Sequence, residues 1–396
     1  MNKHQIAVGL FIIMLGGLFW SRAVLSITQG AWVLFALWQY RIWWPQLTKD
    51  TLLLWSICPI GLFLLGWYQQ PYALVNYDLL LTFTVYPVVV LAVRSVSDGT
   101  IKHLINIWQW AAVAGLLYPL GWYLLHIQEA HTAYGAGRSL PTFMDTDHIR
   151  FSIFLCATLL FSLVNKNTVT LRNKLGIAVL ILCIILLSVR TAWLILFAMC
   201  LVAALLNIRS AKRWPVYNWL LLLLLFAGIS ITIFYLFPTV QQKIAYTLYD
   251  WQQFKPGNYN PDFSDGARRA INHSAFQAVL ADGSNTGWAG IPDTLQRYFS
   301  QSFPGTVLQY GWPFNQWLFW WMGSGWWGML LFTAWLCYPF FRGWKINNKG
   351  LVYWTAAIMV SCLVECTLTF QYGVFLHAWP LALLWGGGVK KMAVSV

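Results

Sequence analysis

Charged side chains are scarce in this chain. Asp, Glu, Lys and Arg together make up 9% of its 396 residues, whereas 59% of the residues are hydrophobic. A soluble globular domain has about 25% charged residues, so a chain of this composition must be solvated by lipid over most of its surface. The deficit argues against a soluble enzyme and indicates an integral membrane protein.

Cysteine is lacking outside the apolar runs. Each of the seven cysteines lies within an apolar stretch, so the sequence predicts neither a disulfide framework nor a CxxC metal site. The net charge of +13 does not indicate nucleic acid, because most of the excess lies in short loops between apolar runs. Insertion rules and anionic lipid headgroups explain charge in that place. Membrane lipids, and no nucleic acid, are therefore the expected partners.

Long apolar runs dominate what the chain does contain. A hydrocarbon core of about 30 Å needs about 20 apolar residues to cross it, and counting such runs gives about twelve. The predicted fold is therefore an all-α integral membrane protein with about 12 transmembrane helices. The spans are centred near Ile13, Phe35, Phe63, Val88, Ala114, Ala157, Leu182, Met199, Leu225, Met329, Met359 and Leu383.

The basic residues orient these spans. With a cytoplasmic N-terminus, sixteen of the 25 Lys and Arg fall in inner loops and nine in outer loops, a bias that favours both termini in the cytoplasm. Seven of the nine outer residues are arginines, whose rigid fork suits oxyanions, so the skew indicates phosphate binding. The nine are Arg22, Arg138, Arg150, Arg190, Lys243, Lys255, Arg268, Arg269 and Arg297.

One outer segment is far longer than an ordinary connection. It has about 75 residues, and loops of that size are usually functional. We therefore expect the functional site to lie there. The predicted division is 1–237 for spans one to nine, 238–313 for the partly helical outer loop, and 314–396 for spans ten to twelve.

Part of this loop reads as a helix. The stretch RRAINHSAFQAVL, which begins at Arg268, lacks Gly and Pro and places Ala270, Phe276 and Val279 at helical spacing. That pattern predicts an amphipathic helix near the membrane interface. A cap from Ser264 or Asp265 would set Arg268 close to the first backbone amides, where positive potential concentrates.

Four motifs resemble those of the bacterial O-antigen ligases, which belong to a wider group of lipid-linked glycan transferases and polymerases. SDGARRAINHSAFQAV, around Arg268, is similar to the arginine-bearing part of that family's large periplasmic loop. SVRTAW, around Arg190, lies where one apolar run ends and the next begins, and TGWAGI contains Gly287 and Gly290. PFNQWLFWWMGSGWWG resembles the family's His-Asn motif and the glycine-rich turn that follows it. Their order, and the long loop before the tenth span, match the family's layout.

The resemblance implies glycan transfer from an undecaprenyl-pyrophosphate donor to lipid A-core, at the periplasmic face of the bacterial cytoplasmic (inner) membrane. In an inverting displacement the acceptor hydroxyl attacks the anomeric carbon while pyrophosphate leaves, so cations must stabilise the leaving charge. By family position Arg268 and Arg190 are the catalytic residues that do this, and Arg269 supports them. Arginine supplies the charge, so no metal or other cofactor is expected, and the protein is expected to be a monomer. The alternative is that these arginines only cap or solvate helix ends.

One departure from the family concerns the proton acceptor. Where the family has His before Asn, this chain has Phe314 before Asn315, and phenylalanine cannot accept a proton. Either the base lies elsewhere, or Phe314 is a replacement that disables the step, or the motifs align differently. His273 in the loop is the nearest alternative catalytic residue, and His148 and Glu365 are further candidates. Asn315 is expected to bind substrate.

Glu365 is the only acid placed deep within a predicted span. An intramembrane carboxylate costs about 2.5 to 3.5 kcal/mol on insertion scales, which marks it as a functional-site candidate. It is expected either to pair with an arginine that faces the cavity or to bond to a neighbouring helix. Tryptophans around the tenth span, Trp312 among them, form either an interfacial belt or a groove for the polyprenyl tail or sugar rings.

The run Asp145-Thr146-Asp147-His148 contains the DxD pair that metal-dependent glycosyltransferases use with nucleotide sugars. Nucleotide sugars are cytoplasmic, and this run is predicted to lie outside. We therefore expect no metal there, and assign Arg138, His148 and Arg150 to the lining of the donor or acceptor path.

Three functions remain open at the level of sequence. The first is a ligase that joins a lipid-carried glycan to lipid A-core. The second is a polymerase of the same superfamily, or a protein O-oligosaccharyltransferase, with the same donor and a different glycan or protein acceptor. The third is a transporter or flippase, which would spread polar groups through many spans. The polar residues gather at the outer face instead, which favours an enzyme.

Overall fold

Helices are the only extended regular elements in the residues that the computed structural model describes, and no strand occurs among them. The described residues are 2–46, 50–67, 74–144, 147–164, 171–208, 228, 231–232, 234–253, 264–281 and 286–389. The N-terminal helices are α1 Lys3–Trp20, α2 Arg22–Trp38, α3 Tyr40–Trp43, α4 Thr51–Leu64, α5 Leu74–Arg94, α6 Asp98–Leu125, α7 Ile127–Gly135, α8 His148–Val164, α9 Leu171–Leu186 and α10 Arg190–Ile208. The C-terminal helices are α11 Pro238–Gln253, α12 Ser264–Ala281, α13 Gly287–Ser302, α14 Gln316–Lys345, α15 Lys349–Val364 and α16 Gln371–Val389, with short 3-10 turns at Trp44–Gln46 and Thr367–Thr369.

The all-α prediction is confirmed, but the number of spans is not. Eleven of the twelve predicted centres fall within these helices, and Leu225 lies outside the described residues. Among the described residues, judged by length and composition, only Lys3–Trp20 and Asn76–Arg94 are long and apolar enough to cross a membrane. A third span is counted if α6 and α7, which meet at 98°, are taken together. Other apolar helices are shorter: α2 and α8 have 17 residues each, or about 25 Å. Twelve spans therefore stay a prediction.

Aromatic side chains fill the core, and two helix prolines leave backbone carbonyls free to accept hydrogen bonds from two of the tryptophans. The rings of Trp55 in α4 and Trp335 in α14 stack with centroids 4.9 Å apart. Each indole Nε1 donates to the backbone carbonyl of the other residue, at 2.9 and 3.0 Å. Pro59 and Pro339 stand four residues further along the two helices, and proline has no N–H to occupy those carbonyls. The missing helical bonds thus leave acceptors for two buried indoles.

A break between α9 and α10 sets the position of Arg190. Ser188 lies in the left-handed region at φ 48°, and its hydroxyl donates to Thr239 Oγ1 at 3.1 Å. The Tyr134 hydroxyl donates to the carbonyl of Leu187 at 2.8 Å. The break is therefore held from α7 and from the start of α11. Arg190 opens α10 on the side where these helices meet, as the SVRTAW motif predicted.

A second break, between α15 and α16, sets the position of Glu365. Glu365 has an extended backbone directly after α15. Gln316, the first residue of α14, donates to Thr369 Oγ1 at 3.1 Å and accepts from the amide of Leu368 at 2.8 Å. The Cys366 thiol donates to the carbonyl of Pro313 at 2.8 Å. The acid is thus held against the start of α14, where the asparagine motif lies.

Candidate functional site

The first part of the site joins α10 to α11 and α12. One Arg190 guanidinium nitrogen forms an ion pair with Asp265 and donates to Thr247 Oγ1 at 3.0 Å. The amides of Asp265 and Gly266 donate to the Asp250 carboxylate at 2.7 and 3.0 Å. The cap at the start of α12 therefore comes from Asp250 in α11, and not from the predicted Asp265, whose carboxylate serves Arg190 instead.

Arg268 lies one helical turn after Asp265 and contacts the second break. Its guanidinium forms an ion pair with Glu365 and donates to the carbonyl of Val364 at 3.4 Å. The guanidinium carbon also lies 4.9 Å from the centre of the Phe314 ring. The structure therefore brings three predicted site residues, Arg268, Phe314 and Glu365, into direct contact. It also shows the pairing of Glu365 with an arginine that the sequence analysis anticipated.

The helix that carries Arg268 is only partly as predicted. Ala270 and Val279 are buried, as the pattern predicted, but Phe276 is 48% exposed. Asn272, one turn after Arg268, accepts from the amide of Phe314 at 2.7 Å. The face of α12 that packs on the start of α14 is therefore polar at Arg268 and Asn272, which a search for apolar periodicity does not find.

Lys243 is a third cation that sequence reasoning counted among the outer basic residues but did not assign to the site. It is 4% exposed, and its Nζ donates to the carbonyls of Gly137 at 2.7 Å and Arg138 at 3.4 Å. Burial, together with the charges of Arg190 and Arg268 and against that of Asp265, lowers the pKa of Lys243 to about 8. Lys243 is therefore within electrostatic reach of both arginines. Lys243 lies four residues before Thr247, on the same face of α11, and this spacing was the sequence pattern that could have assigned Lys243 to the site.

These residues form what we call the cation cluster: Arg190, Lys243 and Arg268. Among the described residues, Asp265 and Glu365 are the acids in ion pairs with the two arginines. Positive charge in a partly buried place attracts an anion strongly, since the local dielectric constant is low. A phosphate oxyanion is a better partner for an arginine fork than a single carboxylate oxygen is.

Arg269 points to a different neighbour. Its guanidinium carbon lies 3.8 Å from the centre of the Trp251 ring, which is exposed. Asp250 is also within electrostatic reach of Arg269, and burial raises the pKa of that carboxyl. The Arg269 side chain thus packs against Trp251 of α11, whereas that of Arg268 pairs with Glu365.

Arg150 approaches the second break from α8. Its guanidinium pairs with Asp147 at 2.9 Å and stacks on the Phe370 ring at 4.9 Å. The residue is 9% exposed, and its Nε and Nη2 are buried without a hydrogen-bond partner among the described residues. Half-buried His148 lies close by in sequence, at the start of α8. Arg150 is therefore a buried cation near the second break with two nitrogens that have no hydrogen-bond partner among the described residues.

The predicted DxD run is described only in part, because Asp145 and Thr146 lie outside the described residues, as Lys255 does. The carboxylate of Asp147 accepts from the Arg150 guanidinium and from the Arg150 amide. No group of three His, Cys, Asp or Glu that could hold a metal occurs in the described ranges. The role of the run stays a prediction.

Two predicted residues lie away from these contacts. His273 is exposed, and its Nε2 lies 2.9 Å from the Gln277 side-chain nitrogen, within α12. Arg138 is exposed, and its amide donates to the carbonyl of Ala133 at 2.8 Å. Arg138 meets the cation cluster only through the backbone carbonyl that Lys243 binds. The structure therefore does not bring either side chain to Glu365.

The asparagine motif begins a helix. Asn315 Oδ1 accepts from the amides of Trp317 and Leu318 at 2.9 and 3.1 Å, and its Nδ2 donates to the carbonyl of Leu363 at 3.1 Å. Trp312 is half-buried and packs edge-on against Phe319 with ring centres 5.5 Å apart. Asn315 therefore caps α14 and ties it to the end of α15. The predicted glycine-rich turn is found at Gly325, where φ is 73° and α14 kinks.

Apolar helices, with a partly buried cluster of cations in the connections between them, are the features of a membrane protein that handles an anion. A family model described as O-antigen ligase matches residues 175–333, from α9 into α14. The match covers less than half of the chain; it agrees with the resemblance found in the motifs and supports the O-antigen ligase family for this part of the chain. It includes Arg190, Lys243, Arg268 and Phe314. The match supports glycan transfer of the ligase and polymerase superfamily. A comparison with curated proteins gives no match.

Proposed function

We propose that this protein is an O-antigen ligase that transfers a glycan from an undecaprenyl-pyrophosphate donor to lipid A-core. The reaction is an inverting displacement without a metal, at the periplasmic face of the inner membrane. One observation carries the proposal. The Arg190–Asp265 ion pair joins α10 to the first turn of α12, the helix that carries Arg268, and Lys243 is within electrostatic reach of both arginines.

The chemistry follows from where charge develops. As the acceptor oxygen attacks the anomeric carbon, the bond from that carbon to the pyrophosphate oxygen breaks, and its electron pair stays on the pyrophosphate. Arg190 and Arg268 stabilise that oxygen, each exchanging a carboxylate partner for a phosphate. Lys243 adds a third charge behind them. Because these groups are already fixed by their helices, little reorganisation is needed at the moment of reaction.

The remaining predicted residues are assigned by position. Arg150 offers its two unpartnered nitrogens to a hydroxyl or phosphate of the acceptor at the second break. Arg269, stacked on Trp251, supports the donor at the outer side of α11. His148 and Arg138 line the path, and Asn315 and Trp312 shape the entrance to α14.

Deletion of the gene tests the function and distinguishes it from its relatives. A ligase is supported if lipid A-core loses its long glycan while polymer accumulates on the lipid carrier. Loss of polymer on the carrier would indicate a polymerase, and loss of glycan from proteins would indicate an O-oligosaccharyltransferase. Transport without glycosyl transfer would contradict all three.

Two measurements test the setting of the reaction. Single cysteines introduced between 238 and 313 should react with an impermeant thiol reagent in intact spheroplasts, and labelling only after lysis would contradict a periplasmic site. Purified enzyme should transfer glycan in the presence of a chelator. Activity lost under chelation and restored by a divalent ion would contradict metal independence and return attention to Asp147 and His148.

A further inference from the structure

Glu365 sits where one acid can do two things. We infer that the donor pyrophosphate displaces Glu365 from Arg268, and that the released Glu365 carboxylate then accepts the proton of the attacking acceptor hydroxyl. The inference rests on the proposed function, because it needs a pyrophosphate donor and a hydroxyl nucleophile. It makes Glu365 a catalytic residue rather than a partner that only holds Arg268 in place.

The position of Glu365 carries the first step. Its extended backbone at the end of α15 turns it toward α12, and it is 4% exposed. Among the described residues it is the acid that pairs with Arg268. A pyrophosphate that uses Arg268 must therefore compete with Glu365. It does so with more negative charge and with oxygens that match both arms of the guanidinium.

Burial carries the second step. Glu365 Oε1 is buried and has no hydrogen-bond partner among the described residues, so once Arg268 has turned to the pyrophosphate this oxygen can accept the hydrogen bond, and then the proton, of the acceptor hydroxyl. The charged and titratable groups next to it are Arg268 from α12 and Cys366 in the break, and Arg150 from α8 is within electrostatic reach of Cys366. Arg150 already has Asp147 as its partner. Donor binding thus converts Glu365 from a counterion into a base at the time when a base is needed.

The step balances without another reactant. The acceptor oxygen forms the bond to the anomeric carbon, and its proton passes to a Glu365 carboxylate oxygen. The bond between that carbon and the pyrophosphate oxygen breaks, and the electron pair leaves with the pyrophosphate. When the pyrophosphate departs, Glu365 returns its proton to water and pairs with Arg268 again.

A substitution at position 314 can test the proton transfer to Glu365, because Phe314 contacts the same arginine as Glu365 does. The Phe314 ring lies 4.9 Å from the guanidinium carbon of Arg268, which pairs with Glu365. An imidazole at position 314 would therefore contact Arg268, the residue that also contacts Glu365. It can take over the proton if the carboxylate is gone.

The experiment separates binding from turnover in purified, reconstituted protein. Glu365→Gln should bind undecaprenyl pyrophosphate several-fold more tightly, because the competing charge is gone, while kcat falls by about 10²- to 10⁴-fold, the range for losing a general base. Adding Phe314→His to Glu365→Gln should restore much of kcat. The acid limb of the pH profile of this double variant should then lie in the ordinary range of histidine, near pH 6.5.

The matched control is another arginine–carboxylate pair. Asp50→Asn neutralises the partner of Arg94, which joins the start of α4 to the end of α5 and contacts no residue of the site; it should leave kcat unchanged. Native kcat in Glu365→Gln overturns the inference. So does loss of donor affinity together with kcat, unrescued by Phe314→His, in protein that stays folded. Neither result touches the proposed function, which fails instead if Arg268→Ala keeps native turnover.

Discussion

Two arginine–carboxylate pairs in this molecule look alike and are built differently. Asp50 contacts Arg94 with both oxygens, with Nη2 to Oδ1 at 2.9 Å, and one of these oxygens also caps α4 through the amide of Leu52 at 3.0 Å. Glu365 Oε1 forms an ion pair with Arg268 Nη2 but no well-aligned hydrogen bond. The Arg268 guanidinium otherwise has a long contact to a carbonyl and the face of Phe314.

The difference shows what each pair is suited to do. A carboxylate that satisfies a guanidinium fork and a helix cap has no better partner available, so the Asp50 pair holds α4 and α5 together. A carboxylate that makes no well-aligned hydrogen bond to its arginine can be replaced by a ligand that does. The Glu365 pair is thus suited to exchange.

Removing the arginine gives the largest expected contrast between the two regions. Arg268→Ala or Arg190→Ala should lower kcat by about 10²- to 10³-fold, which is about 2.7 to 4 kcal/mol of transition-state stabilisation. Lysine at either position should recover only part of this, since it lacks the bidentate fork. The measurement is kcat with purified enzyme, and Arg94→Ala is the control that should leave kcat near native. Native kcat in both alanine variants at positions 190 and 268 would remove them from the mechanism.

A single change next to Arg268 sharpens the comparison. Phe314→His in the otherwise native chain should raise turnover several-fold, because it adds a second proton acceptor beside the one that Glu365 supplies. Phe314→Tyr keeps the ring without a base that titrates near neutral pH, and it is the control for packing. Equal rates in the two variants would show that packing, and not proton transfer, limits the step.

The pH dependence of donor binding tests the third cation. The folded pKa of Lys243 lies at about 8, below the usual value for lysine, so Lys243 is charged below pH 8 and loses its charge as the pH rises through it. Donor affinity should therefore fall several-fold between pH 7 and pH 9. Lys243→Arg, which stays charged, should abolish that fall. A fall of the same size in Lys243→Arg would assign the titration to another group.

The smallest effect on activity is expected at the other pair. Asp50→Asn should lower the free energy of unfolding by about 1.5 to 3 kcal/mol, the range for a hydrogen bond to a charged group, with kcat unchanged. Thermal unfolding and turnover, measured on the same sample, check this. A drop in kcat at unchanged stability would mean that α4 and α5 are coupled to the site, and the contrast between the pairs would fail.

The class of fold and the main candidate residues could be predicted from the sequence, because each produces a local sequence pattern. Apolar runs predicted the helices, and the motifs around Arg190, Arg268 and Asn315 predicted where polar groups interrupt them. Glu365 stood out because an acid within an apolar run is costly.

The residues that these candidates contact could not be predicted, because they show no local sequence pattern. Lys243 and Asp250 reach the site from α11 through contacts that span the outer loop, and no spacing in the sequence shows which carboxylate caps α12. The pattern of apolar runs also did not establish the number of membrane spans. The break at Ser188 was visible in the sequence, but the contacts from Tyr134 and Thr239 in other helices that hold it were not.

The central claim, that Arg190 and Arg268 bind the donor's pyrophosphate by exchanging their carboxylates for it, is tested most directly by calorimetric titration of undecaprenyl pyrophosphate. The native protein, Arg268→Ala, Glu365→Gln and Arg94→Ala should be compared at one pH and salt concentration. The account predicts affinity that is lost in Arg268→Ala, raised in Glu365→Gln and unchanged in Arg94→Ala. Native affinity in Arg268→Ala, with the protein folded, would contradict it.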